Sequence, residues 1–150
     1  MKKITNLFVI AFFTISFVSA QSADAVTKAL EAKKITYGQG AYFVATALSL
    51  ISDADSEEMA INALVNSGYI DSEYKANEIM RNDDFSLLCM KAWNIKGGLF
   101  YTLTKSRRYA FREFKSLGFL PFSADPSYGI AGRNALNIMS ECSELKGESK

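Results

Sequence analysis

Apolar residues recur with helical spacing in three segments of the chain, 35–48, 80–93 and 130–143. When the segments are aligned without gaps, small or apolar side chains coincide at positions i, i+3, i+4 and i+7, which form one stripe along an α-helix. The first segment is apolar on nearly every side from 40 to 48, as is typical of a central helix. We expect the stripe to be buried, and it includes Phe43, Leu88, Cys89, Ile138 and Met139.

A second, shorter amphipathic pattern alternates with these segments, at 60–70 and again at 110–120. Each copy contains a glycine, Gly68 or Gly118, of the kind that adopts the left-handed conformation after a helix C-terminus. The second long segment is separated from its short partner by five more residues than the first, which places an insertion near 97–101. The pattern therefore predicts an internal repeat of alternating long and short helices.

Capping residues sharpen these predictions. Thr36 with Gln39 forms a capping box for the first long helix, and Asn82 or Asp83 is the expected cap of the second. A leading helix with Ser22 or Asp24 as its cap is expected over 21–34, the repeat domain over 35–143 and a polar, flexible tail over 144–150. The predicted fold class is all-α, a small helical bundle.

The N-terminus has the order of a secretory signal peptide, which we assign to 1–20. Lys2 and Lys3 precede an uncharged stretch, Leu7 to Val18, and small residues end at Ala20. The alternative is a membrane anchor, but twelve residues span only about 18 Å of a hydrocarbon core about 30 Å thick. We therefore expect an exported protein of the periplasm or cell envelope, with no transmembrane segment after cleavage.

Composition narrows the classes of function. Removal of Lys2 and Lys3 from 17 basic residues leaves 15 against 16 acidic ones, a net charge of −1. Nucleic-acid-binding domains are typically basic, so this net charge does not favour nucleic-acid binding. The chain has no histidine, which excludes Ser-His-Asp and Cys-His catalysis and every His-ligated metal site. We expect no cofactor, no metal and no enzyme, although a hydrolase that uses a carboxylate pair stays open as a third class.

The two cysteines, Cys89 and Cys142, permit one disulfide in an exported domain. The alternative is a pair of buried thiols, because both cysteines fall on apolar helix faces.

The repeat resembles the S-layer homology (SLH) module. Its long helix typically opens with a motif like I-T-R-A-E-F, to which Ile35-Thr36 is similar, and its short helix reads A-I-x-x-L-x-x-x-G-I-I, as in 60–70 here. The resemblance covers 34–144, and the stretch 97–121 also resembles uncharacterised exported proteins of spirochaete-type bacteria. The SLH resemblance implies attachment to the cell envelope through cell-wall glycan, to which the arginine and acidic residue of the motif contribute.

This sequence departs from the motif at those two positions. The arginine position holds Tyr37 in the first segment, while Arg81 lies one place before it in the second. Only Asp84 keeps the acid, and Thr36 is the other residue that carries over directly. The resemblance thus implies ligand contacts at these four residues.

A basic and aromatic group near the insertion adds a second set of candidates, Arg107, Arg108, Tyr109 and Arg112. Arg108 and Arg112 share a helix face at i and i+4. Arginine suits carboxylates and phosphates, and tyrosine stacks on sugars, so an anionic glycan fits this chemistry. The plainer interpretation is a solvated helix face paired with Glu113 or other acids.

Two further features favour structural interpretations. Acidic residues at 53, 55, 57 and 58 precede the first short helix without the spacing of an EF-hand, and negative charge favours a helix N-terminus. Trp93 lies on the apolar stripe, which indicates a core residue rather than a platform for a sugar. The leading hypothesis is an exported, non-enzymatic envelope module that binds cell-wall polymer or an envelope protein. The alternative is a protein–protein adaptor or accessory subunit of a periplasmic machine.

Overall fold

The structure, a computed structural model, describes the backbone of residues 23–148 and the side chains of 23–146. The predicted signal peptide at 1–20 and the candidate cap Ser22 lie outside the described residues. A helix over 23–31, here α1, precedes six more. These are α2 (Tyr37–Ala47), α3 (Glu57–Asn66), α4 (Asn82–Ala92), α5 (Leu99–Thr104), α6 (Arg107–Ser116) and α7 (Gly132–Glu148). The predicted all-α class is confirmed, because residues 23–148 contain isolated β-bridges but no extended strand.

Three backbone segments meet in a closed ring of hydrogen bonds. The Ile35 N–H donates to the Ile130 carbonyl (2.9 Å), Ile130 to Met80 (3.0 Å), and Met80 back to Ile35 (3.0 Å). These residues are the aligned first positions of the three long segments, so each copy uses the same position to contact the next. Two positions later the hydrogen bonds also repeat. The Tyr37 N–H donates to the Glu78 carbonyl and the Asn82 N–H donates to the Tyr128 carbonyl, each at 2.8 Å.

The helices pack in pairs around one apolar core. α2 lies against α3 and α4 against α6, with α4 also contacting α2 and α7. Burial of apolar surface is the main favourable term in folding, and here it draws on every copy of the repeat. The largest fully buried side chains include Leu64, Phe85, Leu88, Tyr101, Phe114 and Ile138.

Several sequence predictions are met within this core. Leu88, Cys89, Ile138 and Met139 are buried, as is Trp93 at the end of α4. Phe43 is only half-buried, because it faces a cavity described below rather than the centre of the bundle. The turns after α3 and α6 place Gly68 (φ 74°) and Gly118 (φ 82°) in the left-handed conformation, as predicted.

The helix boundaries differ from the predicted ones at several points. The first two long helices, α2 and α4, have 11 residues and the short helices α3 and α6 have 10, so these four are nearly equal in length, whereas the third long helix, α7, has 17 residues. The insertion forms an additional helix, α5, and α7 continues through 144–148, which the sequence assigned to a tail. Asp24 lies inside α1 rather than at its cap.

Capping also differs between the two repeats. Thr36 caps α2 in a complete capping box with Gln39, as predicted. The prediction that Asn82 or Asp83 caps α4 is wrong, because the cap position is Arg81 and no side chain closes it. Asn82 instead donates its side-chain amide to the Asp125 carbonyl (2.8 Å), and Asp83 binds Arg81.

Candidate functional site

Asp84 is the centre of a buried polar cluster in the first turn of α4. An acid suits this position because the helix macrodipole favours negative charge at its N-terminus. Its carboxylate accepts hydrogen bonds from the hydroxyls of Tyr37 and Tyr74 (3.3 Å from Tyr74) and from Arg107 Nη1 (2.9 Å). The tyrosine rings stack with centroids 4.3 Å apart and planes 16° apart. Both oxygens of the buried acid are therefore occupied by donors from other elements of the protein.

The side chains that bind Asp84 have raised pKa values. Burial first, and the Asp84 carboxylate second, raise the pKa of Tyr37 and of Tyr74 above the ordinary tyrosine value. The hydrogen bond to Asp84 raises the pKa of Arg107 further above its already high value. At neutral pH the cluster thus consists of neutral tyrosines and a charged arginine, which suits a fixed structural link between α2, α4 and α6 better than proton transfer.

Arg81 extends the cluster toward solvent. It forms a two-pronged pair with Asp83, from Nε to Oδ1 (3.0 Å) and from Nη2 to Oδ2 (2.8 Å). Its Nε also lies 4.0 Å from Asp84 Oδ2. The Arg81 side chain is 43% exposed and that of Arg107 is 47% exposed, so both guanidinium groups bridge the buried acids and the surface.

The outer face of α6 carries the remaining candidates. Arg108 and Arg112 are exposed, and neither forms an ion pair with any residue that the structure describes, Glu113 included. The Arg112 guanidinium lies 5.8 Å from the centre of the Tyr109 ring, and that ring stacks on Phe100 of α5 with centroids 5.3 Å apart. A row of aromatic and cationic groups thus crosses from α5 to α6.

Four of the eight predicted residues therefore come together, and four do not. Tyr37, Arg81, Asp84 and Arg107 form the buried cluster, while Arg108, Tyr109 and Arg112 lie on the outer face of α6. Thr36 acts as a cap, since its hydroxyl accepts from the Gln39 N–H at 3.2 Å.

Sequence reasoning missed Tyr74, Asp83 and Phe100 as members of these groups. Tyr74 comes from a loop without periodicity. Asp83 was expected only as a helix cap, whereas it binds Arg81, which precedes the helix.

The predicted acidic cluster lies beside a cavity of about 340 Å³ that is lined by residues of α1, α2 and the loop before α3. The capping interpretation agrees with the local contacts, because Ser56 accepts from the Met59 N–H (3.2 Å) and Glu57 and Glu58 occupy the first turn of α3. Within residues 23–148, no three His, Cys, Asp or Glu side chains converge as a metal site would require.

The cysteines are both buried as free thiols, so the disulfide that the sequence permits is not formed in this structure. Burial, and then the adjacent Cys142 thiol, raise the pKa of Cys89, which makes its reactive thiolate scarce.

Comparison with protein-family models, curated proteins and solved structures finds no match to this chain. Among the described helices, none combines the length and apolarity that crossing a membrane requires.

Proposed function

We propose that this chain is an exported, non-enzymatic module of the cell envelope that binds an anionic cell-wall polymer through the outer face of α6. The observation that carries the proposal is the pair Arg108 and Arg112, one helical turn apart, both exposed and without an acidic partner among the described residues. Exposed guanidinium groups that are not paired with an acid can donate their N–H groups to carboxylates or phosphates of a ligand.

The neighbouring aromatic groups support a polymer of sugars. Tyr109 stacks on Phe100 and lies near the Arg112 guanidinium, and these contacts restrict its ring orientation before a ligand binds. A fixed ring reduces the entropy lost on binding. Arg81 and Arg107 are paired with Asp83 and Asp84, so their partly exposed guanidinium groups offer hydrogen-bond donors without net positive charge.

The SLH-like pattern of the sequence supports an envelope role independently of the arginines. The ring formed by Ile35, Met80 and Ile130 agrees with a repeat in which equivalent positions make equivalent contacts. The proposal differs from the motif-based expectation in one respect. Asp84 serves as an internal anchor of the site, because its oxygens are occupied by Tyr37, Tyr74 and Arg107.

The test is co-sedimentation of the purified protein with isolated cell-wall sacculi. Binding should be strong at about 0.01 M salt and fade toward about 1 M, because the screening length shortens from about 30 Å to about 3 Å. Absence of binding at low salt would overturn the polymer proposal.

A protein–protein adaptor is the second candidate. It is favoured by the exposed apolar side chains of α5, Leu99, Phe100 and Leu103. Failure to bind sacculi together with specific capture of an envelope protein would support it.

A further inference from the structure

The insertion in the second repeat builds an apolar projection with a basic rim. α5 exposes Leu99 (70%), Phe100 (61%) and Leu103 (72%), which lie within about 100° of arc on its outer side. Lys96 and Lys105 flank this face, and both are exposed. Exposed apolar clusters on small domains are typical of interaction surfaces. Because Lys96 and Lys105 flank this one, it favours an acidic partner.

The first repeat has an acidic, partly aromatic cavity near the corresponding place. Tyr42 and Phe43 form part of its wall, and Asp53, Asp55 and Glu57 line its mouth. The cation that lines it, Lys28, is paired with Asp24 at 2.8 Å, which also lines the cavity. Burial and then the neighbouring Glu58 raise the pKa of Glu57, and the charge of Lys28 offsets this only in part.

The two surfaces occupy equivalent places in the repeat but carry opposite charge. At a spacing of 50 residues, Glu57 corresponds to Arg107 and Glu58 to Arg108. The stretch 49–65 contains four acidic residues and no basic one, whereas 96–115 contains six basic residues and one acidic one. Their net charges are −4 and +5, whereas the mature chain has a net charge of only −1. Opposite charges are therefore concentrated on two separate segments.

We propose that copies of this chain associate head to tail, with α5 of one copy entering the acidic cavity of the next. The apolar side chains of α5 would pack on Tyr42 and Phe43, while Lys96 and Lys105 face Asp53, Asp55 and Glu57. Because the two surfaces differ, the contact is heterologous, and it propagates into rings or filaments instead of stopping at a two-fold dimer. An anionic lipid surface would account for the basic projection but leave the acidic cavity without a partner.

The test is sedimentation velocity over a concentration series, with protein that is expressed from the full chain and purified after any processing by the cell. We expect the average mass to rise with concentration and to fall at high salt, because opposite charges contribute to the contact. Two variants each remove one surface, Leu99→Ser with Leu103→Ser on α5, and Asp53→Lys with Asp55→Lys at the cavity. Each should remain monomeric alone.

Mixing the two variants gives the decisive result. The α5 variant keeps its cavity and the cavity variant keeps its α5, so the mixture should form a one-to-one dimer and nothing larger. Phe122→Ser, which removes an equally exposed apolar side chain elsewhere, should associate like the parent protein. Circular dichroism checks that every variant keeps its helices.

Three results would overturn the proposal. They are a parent protein that is monomeric at every concentration, an α5 variant that still associates, and a mixture that forms no dimer. A monomeric parent that binds phosphatidylglycerol vesicles through Leu99 and Leu103 would instead assign α5 to a lipid surface. None of these variants alters Arg108 or Arg112, so the outcome is independent of polymer binding.

Discussion

The hydroxyl of Tyr37 donates a hydrogen bond to the carboxylate of Asp84, which lies 47 positions later in the chain. The contact joins the first turns of α2 and α4, the equivalent helices of two repeats. In each repeat this turn follows a residue of the central backbone ring. A tyrosine at the start of one long helix thus binds an acid in the first turn of the next long helix.

Loss of the Asp84 charge should destabilise the fold. Asp84→Asn leaves an amide that cannot accept from Tyr37, Tyr74 and Arg107 together, and buried groups without partners cost about 1–3 kcal/mol. Arg107 is half exposed and recovers part of its solvation, which keeps the loss in that range. Urea unfolding measures the change. Asp71→Asn, a matched control at an exposed acid, should unfold like the parent, and an equally stable Asp84→Asn would show that the cluster is not a structural link.

Stability should fall in alkaline solution. The pKa of Tyr37 is raised in the folded state, so folded protein holds the phenolic proton more tightly than unfolded protein does. The resulting stabilisation is complete below the ordinary tyrosine pKa of about 10 and is lost above it, at up to about 1.4 kcal/mol per pH unit for each such group. Burial raises the pKa of Tyr74 and Tyr101 in the same direction.

Urea unfolding between about pH 9 and about pH 11 tests this dependence. Tyr37→Phe removes one of the groups, so its stability should decline less steeply than that of the parent. Tyr128→Phe, at an exposed ring, should keep the parent slope. A parent whose stability is unchanged over this range would contradict the prediction.

Leu88 should contribute more to stability than an exposed leucine does. Leu88 is 1% exposed in the core, and Leu88→Ala should cost about 2–5 kcal/mol, since it removes buried methyl groups and leaves a cavity. Leu103→Ala at 72% exposure should change the free energy of unfolding by less than about 0.5 kcal/mol in dilute solution. Equal effects of the two substitutions in urea titrations would refute the assigned core.

The start of α7 should not tolerate a side chain at Gly132. A Cβ there would lie 1.8 Å from the Ala29 carbonyl oxygen, and backbone atoms cannot rotate away. Gly132→Ala should therefore cost about 1–3 kcal/mol and loosen α1 from α7. Gly98→Ala is the control, because its nearest neighbour is the flexible end of Glu113 at 3.0 Å and its φ is −63°. Hydrogen exchange over 23–31 should rise in the first variant alone.

Periodicity predicted the helices, because helix formation depends on local spacing. Ile35, Met80 and Ile130 could be aligned from the sequence, and they occupy equivalent places. Their ring of hydrogen bonds could not be predicted, because spacing along the chain does not say which backbone groups meet. The helix α5 was also missed, since its apolar side chains face solvent and resemble neither a core stripe nor a turn.

The candidate site was also predicted only where it depends on local spacing. Arg108 and Arg112 were predicted to share a face, which helical geometry alone determines. The partners of Asp84 were not predicted, because Tyr74 comes from an irregular loop and Arg107 from another helix. Arg81 was named only for its place beside a motif position, and the bond to Asp83 that holds it arises at the helix start.

The most direct test of the proposed function compares the parent with Arg108→Ala combined with Arg112→Ala in sacculus co-sedimentation at low salt. We expect a large loss of binding with helix content and unfolding midpoint unchanged, because both side chains are exposed. Arg133→Ala combined with Lys146→Ala removes two exposed cations from α7 and should bind like the parent. If the α6 double variant binds sacculi as well as the parent does, these arginines are an ordinary solvated face and the polymer proposal is wrong.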